Sequence, residues 1–120
     1  MKILIADDSR VMRQIVIRTL RQAGFDGHDL VEVADGRQAH DAALAEKPDL
    51  VVSDWNMPEM TGIQVLSALR AAGNPVPFGF VTSECTAEMQ NAAEAAGALF
   101  FIVKPFTADR FKEALSNVLG

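Results

Sequence analysis

Four short apolar runs of this chain each end at a polar residue of a kind that binds ligands. The runs, with the residues that end them, are 3–6 before Asp7 and Asp8, 50–53 before Asp54, 78–81 before Thr82, and 99–103 before Lys104. Runs with so little polar alternation are typical of parallel strands buried on both faces. Parallel strands end at one edge of a sheet, and open α/β sheets bind their ligands there. The sequence therefore predicts that three carboxylates, one hydroxyl and one ammonium gather at one sheet edge.

Segments with the helical spacing of apolar residues lie between and after these runs. Helices are predicted after Asp8 as far as Gly24, over about 36–47, after Gly62, over 87–96, and in a last segment that buries Phe111, Ala114, Leu115 and Val118. A further strand is predicted over 30–34. Alternating strands and helices predict a parallel sheet covered by helices on both faces. The four polar strand ends meet if the winding reverses beside the first strand, which gives the flavodoxin-like strand order 2-1-3-4-5.

Length and composition exclude several classes of protein. A chain of 120 residues suits one domain, and its 49% hydrophobic content argues against disorder. The apolar runs are too short to span a bilayer and no signal-like segment opens the chain, so we expect a cytoplasmic protein without membrane insertion. The single Cys85 fits a reducing compartment. A net charge of −5 disfavours direct binding to nucleic acid.

The residue types at the predicted edge point to phosphoryl chemistry. Three acids beside one lysine form an oxygen-rich pocket suited to Mg²⁺, and a carboxylate held against the metal is a candidate nucleophile toward a phosphoryl group. Taken singly, each residue has a simpler explanation. An Asp after a strand often caps the next helix, and a Thr or Lys there is often only a strand residue or a surface charge. Their joint occurrence at four strand ends favours the functional interpretation.

The residues at these strand ends resemble the motifs of the response-regulator receiver family. The matching elements are Asp7-Asp8, the stretch Ser-Asp-Trp-Asn-Met-Pro over 53–58 with Gly62 after it, Val81-Thr82, and Lys104-Pro105-Phe106. The likeness runs from Lys2 to about Leu119, and the stretch 53–58 is especially similar to the single-domain, CheY-like members. Because the chain ends after its fifth predicted helix, we expect a single receiver domain over 1–120 with no output domain.

The resemblance implies a metal-assisted phosphoacceptor. Asp54 would accept the phosphoryl group, and Asp8, Asp54 and the backbone carbonyl of Asn56 would bind Mg²⁺ directly. Asp7 would hold the metal through water. In such a site the cation, an ammonium and aligned donors neutralise the charge that develops during in-line phosphoryl transfer.

The resemblance also implies how the switch would work. Lys104, expected to precede a cis proline bond, would pair with one phosphoryl oxygen, and Thr82 would hydrogen-bond another. Phe101 stands where CheY-like proteins often carry Tyr, so the aromatic switch residue lacks a phenolic hydroxyl. Phe100 and Phe101 are expected on opposite faces of their strand, one of them in the core or at a docking surface. Asn56 and Glu84 occupy variable positions of the family and are expected to tune the access of water to the acyl phosphate.

The leading hypothesis is a signalling switch, not an enzyme. It would take a phosphoryl group from a histidine kinase and then bind a downstream protein. The CheY likeness makes the flagellar motor switch the leading target and chemotaxis the leading pathway, with a phosphatase as a further candidate partner. A relay or adaptor receiver outside chemotaxis is the alternative.

Two further hypotheses belong to different classes. A metal-dependent phosphohydrolase would also use Asp54 as nucleophile, but such enzymes commonly place a second acid two residues later, where this chain has Asn56. A nucleotide-binding flavodoxin-like module would have a glycine-rich turn after the first strand, where this chain has Asp7-Asp8-Ser9. Continuous turnover of small phosphate esters would favour the phosphohydrolase hypothesis.

Overall fold

The computed structural model describes residues 1–25 and 27–119, with the side chains of the last helix described as far as Ser116. Strands and helices alternate along the chain. They are β1 (Lys2–Ala6), α1 (Arg10–Gln22), β2 (Asp29–Val33), α2 (Gly36–Glu46), β3 (Leu50–Ser53), α3 (Gly62–Ala71), β4 (Phe78–Thr82), α4 (Ala87–Ala95), β5 (Phe100–Val103) and α5 (Ala108–Leu119). The predicted helices and strands are thus confirmed with small shifts at their ends, while the side chain of Val118 lies outside the described part.

The five strands form one parallel sheet in the order β2-β1-β3-β4-β5, so the predicted flavodoxin-like fold is confirmed. Strand register aligns the carboxyl ends. Ala6 pairs with Ser53, Ser53 with Phe80, and Thr82 with Val103. The residues that follow β1 and β3 therefore lie side by side, next to the ends of β4 and β5.

Buried side chains pack on both faces of the sheet. One cluster joins alternate strand residues such as Leu4, Val51 and Phe80 to α2, α3 and α4. The other joins their neighbours, such as Ile5 and Val52, to α1 and α5. Burial on both faces accounts for the continuous apolar runs of the strands, because neither face needs polar side chains.

Three helices that follow β1, β3 and β4 begin at side chains that cap them close to the sheet edge. The side chains of Ser9, Thr61 and Thr86 accept hydrogen bonds from backbone N–H groups in the first turns of α1, α3 and α4. These caps fix where each loop ends. Of the described residues of α4, only Ala93 is buried, which makes α4 the most lightly packed of the first four helices. Within the described part of the chain, no helix has the length and apolar character needed to cross a membrane.

Candidate functional site

The carboxyl edge of the sheet brings together the acids and the lysine that end β1, β3 and β5. Carboxylate oxygens of Asp7, Asp8 and Asp54 all lie within 4.8 Å of one another. Lys104 Nζ lies 3.1 Å from Asp7 Oδ2 and 3.5 Å from Asp54 Oδ2. The peptide bond from Lys104 to Pro105 is cis, as the resemblance implied. One ammonium thus lies between two of three clustered carboxylates, and the cluster keeps an excess of negative charge.

Asp7 is buried and held through all of its polar atoms. Its Oδ1 accepts from the Ser9 N–H at 2.9 Å, and its Oδ2 accepts from Lys104 Nζ at 3.1 Å. Its own N–H donates to the Val33 oxygen at 3.2 Å, and its carbonyl accepts from Arg13 Nη1 at 2.6 Å. Only 3% of Asp7 is exposed, so it serves as a fixed point of the cluster.

Asp8 differs from its neighbour in both exposure and bonding. The residue is exposed, and its carboxylate makes no hydrogen bond or ion pair to the described residues. An open cavity of about 300 Å³ lies beside it and is lined by Asp8, Asn56, Met57, Pro58 and Thr61. Asp8 and Asn56 therefore face one space, and Asp8 is free to bind a cation from it.

Asp54 is half-buried at the end of β3, and its backbone is anchored to the sheet. Its N–H donates to the Ala6 oxygen at 2.8 Å, and its Oδ1 accepts from the Trp55 N–H at 2.7 Å. Burial raises the pKa of the Asp54 carboxyl above its ordinary value, and the Asp7 carboxylate adds to the rise. Lys104 and the Trp55 N–H oppose it. A desolvated carboxylate beside another carboxylate gains from a nearby cation.

The loop after Asp54 is fixed by two glycines that each begin a helix. The Gly62 N–H donates to the Trp55 oxygen at 2.7 Å, and a Cβ on Gly62 would overlap the Asp54 backbone oxygen. The Gly36 N–H donates to the Pro58 oxygen at 3.0 Å, and a Cβ there would overlap the Met60 backbone. The sequence placed Gly62 in the receiver motif, before a predicted helix. The structure gives both glycines a close packing contact with the loop.

Asn56 and Glu84 connect the loops that follow β3 and β4. Asn56 Nδ2 donates to Glu84 Oε1 at 3.0 Å, and both residues are exposed. The Glu84 N–H in turn donates to Thr82 Oγ1 at 3.4 Å, and Thr82 is fully buried. The structure thus places the two variable positions in contact with each other above the buried hydroxyl.

The aromatic residues of β5 point to opposite faces of the sheet, as predicted. Phe100 is 8% exposed and belongs to the core beneath α1 and α5, where its ring covers Gly79. Phe101 is only partly buried, with its ring centroid 6.2 Å from that of Trp55 and 6.1 Å from that of Phe80. The partly buried aromatic residue of β5, Phe101, is therefore the one that lies beside Trp55, which follows Asp54 in the chain.

Sequence reasoning missed Arg13, which reaches the cluster from α1. Its Nη1 contacts the Asp7 carbonyl and its Nε lies 3.1 Å from Glu32 Oε1. Neither residue belongs to a motif, and nothing in their spacing along the chain links them. Only the pairing of β1 with β2 brings Glu32 beside the helix that carries Arg13.

The donor set of the cluster suits a hard divalent cation. Mg²⁺ prefers oxygen ligands, commonly one or two carboxylates with several retained waters. The cluster offers three carboxylates with one ammonium beside them, and one of the three is exposed and unpaired among the described residues. The residues present therefore fit Mg²⁺, which would supply positive charge to a phosphoryl group bound there.

Comparisons with known proteins agree with this geometry. The family model of the response regulator receiver domain matches residues 3–116. A chemotaxis protein CheY homolog of Campylobacter jejuni is 39% identical over all of this chain and 93% of its own length. The structure of the chemotaxis response regulator CheY4 of Vibrio cholerae is 35% identical, with a TM-score of 0.83 over 98% of this chain and 97% of the other.

A second similar structure is also a receiver domain. The signal receiver domain of the putative response regulator NarL from Mycobacterium tuberculosis is 26% identical, with a TM-score of 0.84 over 97% of this chain and 93% of the other. The family match covers nearly the whole chain, and receiver domains bind Mg²⁺ at an acidic cluster of the kind seen here. The chain belongs to the response regulator receiver domain family, as a CheY-like member.

Proposed function

We propose that this protein is a phosphorylation-controlled switch of a two-component pathway, with Asp54 as the residue that accepts the phosphoryl group from a histidine kinase. The observation that carries the proposal is the environment of the Asp54 carboxylate. It lies in a half-buried pocket with two further carboxylates and with Lys104 Nζ at 3.5 Å. This arrangement supports the proposal, because a carboxylate, an acidic cluster that fits a cation and an ammonium lie together at the sheet edge.

The proposed chemistry divides the work among the residues of the cluster. Asp54 attacks phosphorus in line, and the bond to the donor nitrogen breaks as the acyl phosphate forms. Asp8, Asp54 and the Asn56 carbonyl would hold Mg²⁺ directly, and Asp7 would hold it through water. Mg²⁺ supplies positive charge to the phosphoryl oxygens when it is bound.

Lys104 and Thr82 would each contact an oxygen of the phosphoryl group. Lys104 Nζ already lies between the carboxylates of Asp7 and Asp54, so a short movement brings it to a phosphoryl oxygen. Thr82 Oγ1 turns to donate to another phosphoryl oxygen, and the Phe101 ring moves into the space that this rotation vacates. Asn56 and Glu84, joined at 3.0 Å, limit the approach of water to the acyl phosphate.

Intact mass measurement after incubation with acetyl phosphate and Mg²⁺ tests the phosphoacceptor. We expect one phosphoryl group per chain on the wild type and none on Asp54→Asn. Asp41→Asn, which changes an exposed acid on α2, is the matched control and should label like the wild type. Unchanged labelling of Asp54→Asn would identify another nucleophile.

The same experiment separates the switch from a phosphohydrolase. A switch accumulates a labelled form, whereas a hydrolase turns over small phosphate esters continuously. The residue two positions after Asp54 supports the switch, because Asn56 is not an acid and its side chain is bonded to Glu84.

We further propose that the output pathway is chemotaxis and that the flagellar motor switch is the target. The similarity to the two chemotaxis proteins supports this pathway. The proposed docking face is formed by α4, β5 and α5, where Leu99 is 56% exposed and Phe101 is partly buried. Beryllofluoride with Mg²⁺ should alter hydrogen exchange most over residues 82–104. Changes confined to α1 and α2 would assign the output to another face.

The role of Phe101 is tested by separating output from phosphorylation. Phe101→Ala should be labelled by acetyl phosphate like the wild type but should retain less motor switch protein in a pull-down with beryllofluoride. Arg18→Ala, on the exposed part of α1, should affect neither measurement. Equal retention by Phe101→Ala and the wild type would exclude Phe101 from the docking face.

A further inference from the structure

The side chain of Arg13 lies inside the structure and not in solvent. Arg13 is in the first turns of α1, and only 13% of its side chain is exposed. Its Nη1 donates to the Asp7 carbonyl at 2.6 Å, and its Nε donates to Glu32 Oε1 at 3.1 Å. One guanidinium thus ties together the end of β1, the start of α1 and strand β2.

The atom that Arg13 holds controls where Asp8 lies. The Asp7 carbonyl belongs to the planar peptide unit that also contains the Asp8 nitrogen, so fixing its oxygen fixes the direction in which Asp8 leaves. The Asp8 side chain has no partner among the described residues, so its backbone alone positions it. Ser9, Lys104 and Val33 hold the other polar atoms of Asp7, and Arg13 supplies the remaining contact.

Glu32 has a second effect, which is electrostatic. An unpaired guanidinium so near the acidic cluster would repel a divalent cation. Glu32, whose side chain is 43% exposed, offsets that charge through its salt bridge with Arg13. The pair therefore combines a strong hydrogen-bond donor with little net positive charge.

We propose that Arg13 is a positioning residue, held by Glu32, that places the peptide between Asp7 and Asp8 and thereby sets the Mg²⁺ affinity of the acidic cluster. This inference rests on the proposed function, because it concerns the metal of the same site. It makes a prediction about sign. Removing a positive charge near a cation site would tighten Mg²⁺ binding if charge alone mattered, whereas loss of positioning weakens it.

Calorimetric titration with Mg²⁺ alone, on the unphosphorylated full chain, tests the inference, with Trp55 fluorescence as a second readout. Arg13→Met keeps the apolar stem and should weaken Mg²⁺ binding by roughly 10-fold to 100-fold, the usual cost of losing a residue that orients a metal ligand. Arg13→Lys should recover part of the affinity, because one ammonium cannot hold both partners at once. Glu32→Gln keeps an acceptor for Nε, so it should weaken Mg²⁺ binding less, by about 2-fold to 5-fold.

Arg18→Met is the matched control, since Arg18 is an exposed residue of the same helix and should bind Mg²⁺ like the wild type. Urea denaturation verifies that each variant is folded. If Arg13→Met does not fold, Arg13→Lys and Glu32→Gln decide the question.

The possible outcomes separate this inference from the proposed function. A wild type without saturable Mg²⁺ binding would overturn the metal site and the inference with it. A wild type that binds Mg²⁺ while the folded Arg13 and Glu32 variants bind it equally well or better would overturn the inference alone. A purely structural role for Arg13 would lower resistance to urea and leave the Mg²⁺ affinity unchanged.

Discussion

Replacing Gly62 by alanine should slow phosphorylation of Asp54 on the order of 100-fold while the protein stays folded. Gly62 begins α3, and a Cβ on it would overlap the Asp54 backbone oxygen and lie 2.8 Å from Cε1 of Phe80. Neither neighbour moves freely. The Asp54 oxygen accepts from the Ser53 hydroxyl at 2.8 Å, and Phe80 is fully buried. The added methyl therefore displaces the end of β3, which carries the reacting carboxylate.

The expected magnitudes show which measurement is more sensitive. Alanine in place of glycine favours a helix by up to about 1 kcal/mol, whereas an extra methyl in a packed region costs about 1–3 kcal/mol. The net loss of about 3 kcal/mol at most leaves a domain of ordinary stability, about 5–15 kcal/mol, folded. A displacement of about 1 Å at the reacting group costs on the order of 100-fold in rate. The loss of rate should therefore be measured on a protein that is still folded.

The assay is the initial rate of acyl phosphate formation from acetyl phosphate at fixed Mg²⁺, compared with the free energy of unfolding in urea. Gly73→Ala is the control, because Gly73 has a φ of +77° and a methyl group on it would have no atom within 4 Å. Backbone strain should lower the stability of Gly73→Ala by on the order of 1 kcal/mol. Its rate of acyl phosphate formation should equal that of the wild type. A wild-type rate for Gly62→Ala, or an equal slowing in Gly73→Ala, would refute the reasoning.

Three other predictions concern charge and packing around the sheet. Because the pKa of Asp54 is raised, the folded state keeps a proton that the unfolded state releases, and stability falls as pH rises from the ordinary to the raised pKa. Asp54→Asn should remove this loss in urea titrations without Mg²⁺, and parallel curves would contradict it. Lys104→Met should tighten Mg²⁺ binding in calorimetry, since Lys104 competes for Asp7 and Asp54; weaker binding would exclude that competition. Gly79→Ala should cost about 1–3 kcal/mol through overlap with the Phe100 ring, and a double-mutant cycle with Phe100→Ala should show coupling rather than additivity.

Most of the fold was accessible from the sequence because burial on both faces of the sheet leaves continuous apolar runs. The ends of the runs were predicted less well. Leu99 was predicted within the fifth strand, yet it precedes β5 and is 56% exposed. Its N–H still donates to the Phe78 oxygen at 2.8 Å, so its backbone joins the sheet while its side chain does not join the core. Hydrophobicity alone does not distinguish these two conditions.

The acidic cluster was predicted for a different reason, since its members directly follow strands, and the strand order was chosen so that these strand ends meet. The contacts that hold the cluster in place had no such signal. Arg13 meets Glu32 through the pairing of neighbouring strands, and Gly36 supports the Asp54 loop from another helix. A glycine directly after a capping residue, as at 36 and 62, is a faint indication of close packing, but it does not name the partner.

The bonding of Thr82 predicts that a change at the sheet edge reaches α4 rather than the sheet itself. The backbone oxygen of Thr82 accepts from the Lys104 N–H at 2.8 Å, a contact that joins β4 to the end of β5 whatever its side chain does. Its hydroxyl accepts a weak hydrogen bond from the Glu84 N–H, at 3.4 Å, and also acts on the Asp54 carboxyl, whose pKa it helps to lower against the rise that burial causes. If that hydroxyl turns to a phosphoryl oxygen, the Glu84 N–H is released, and so is the loop that leads into α4. Because Ala93 is the only buried residue among the described residues of α4, little packing opposes a shift of this helix. The loop that holds this weak hydrogen bond leads directly into the lightly packed α4. We therefore expect the conformational change on phosphorylation to reach the surface beside Phe101.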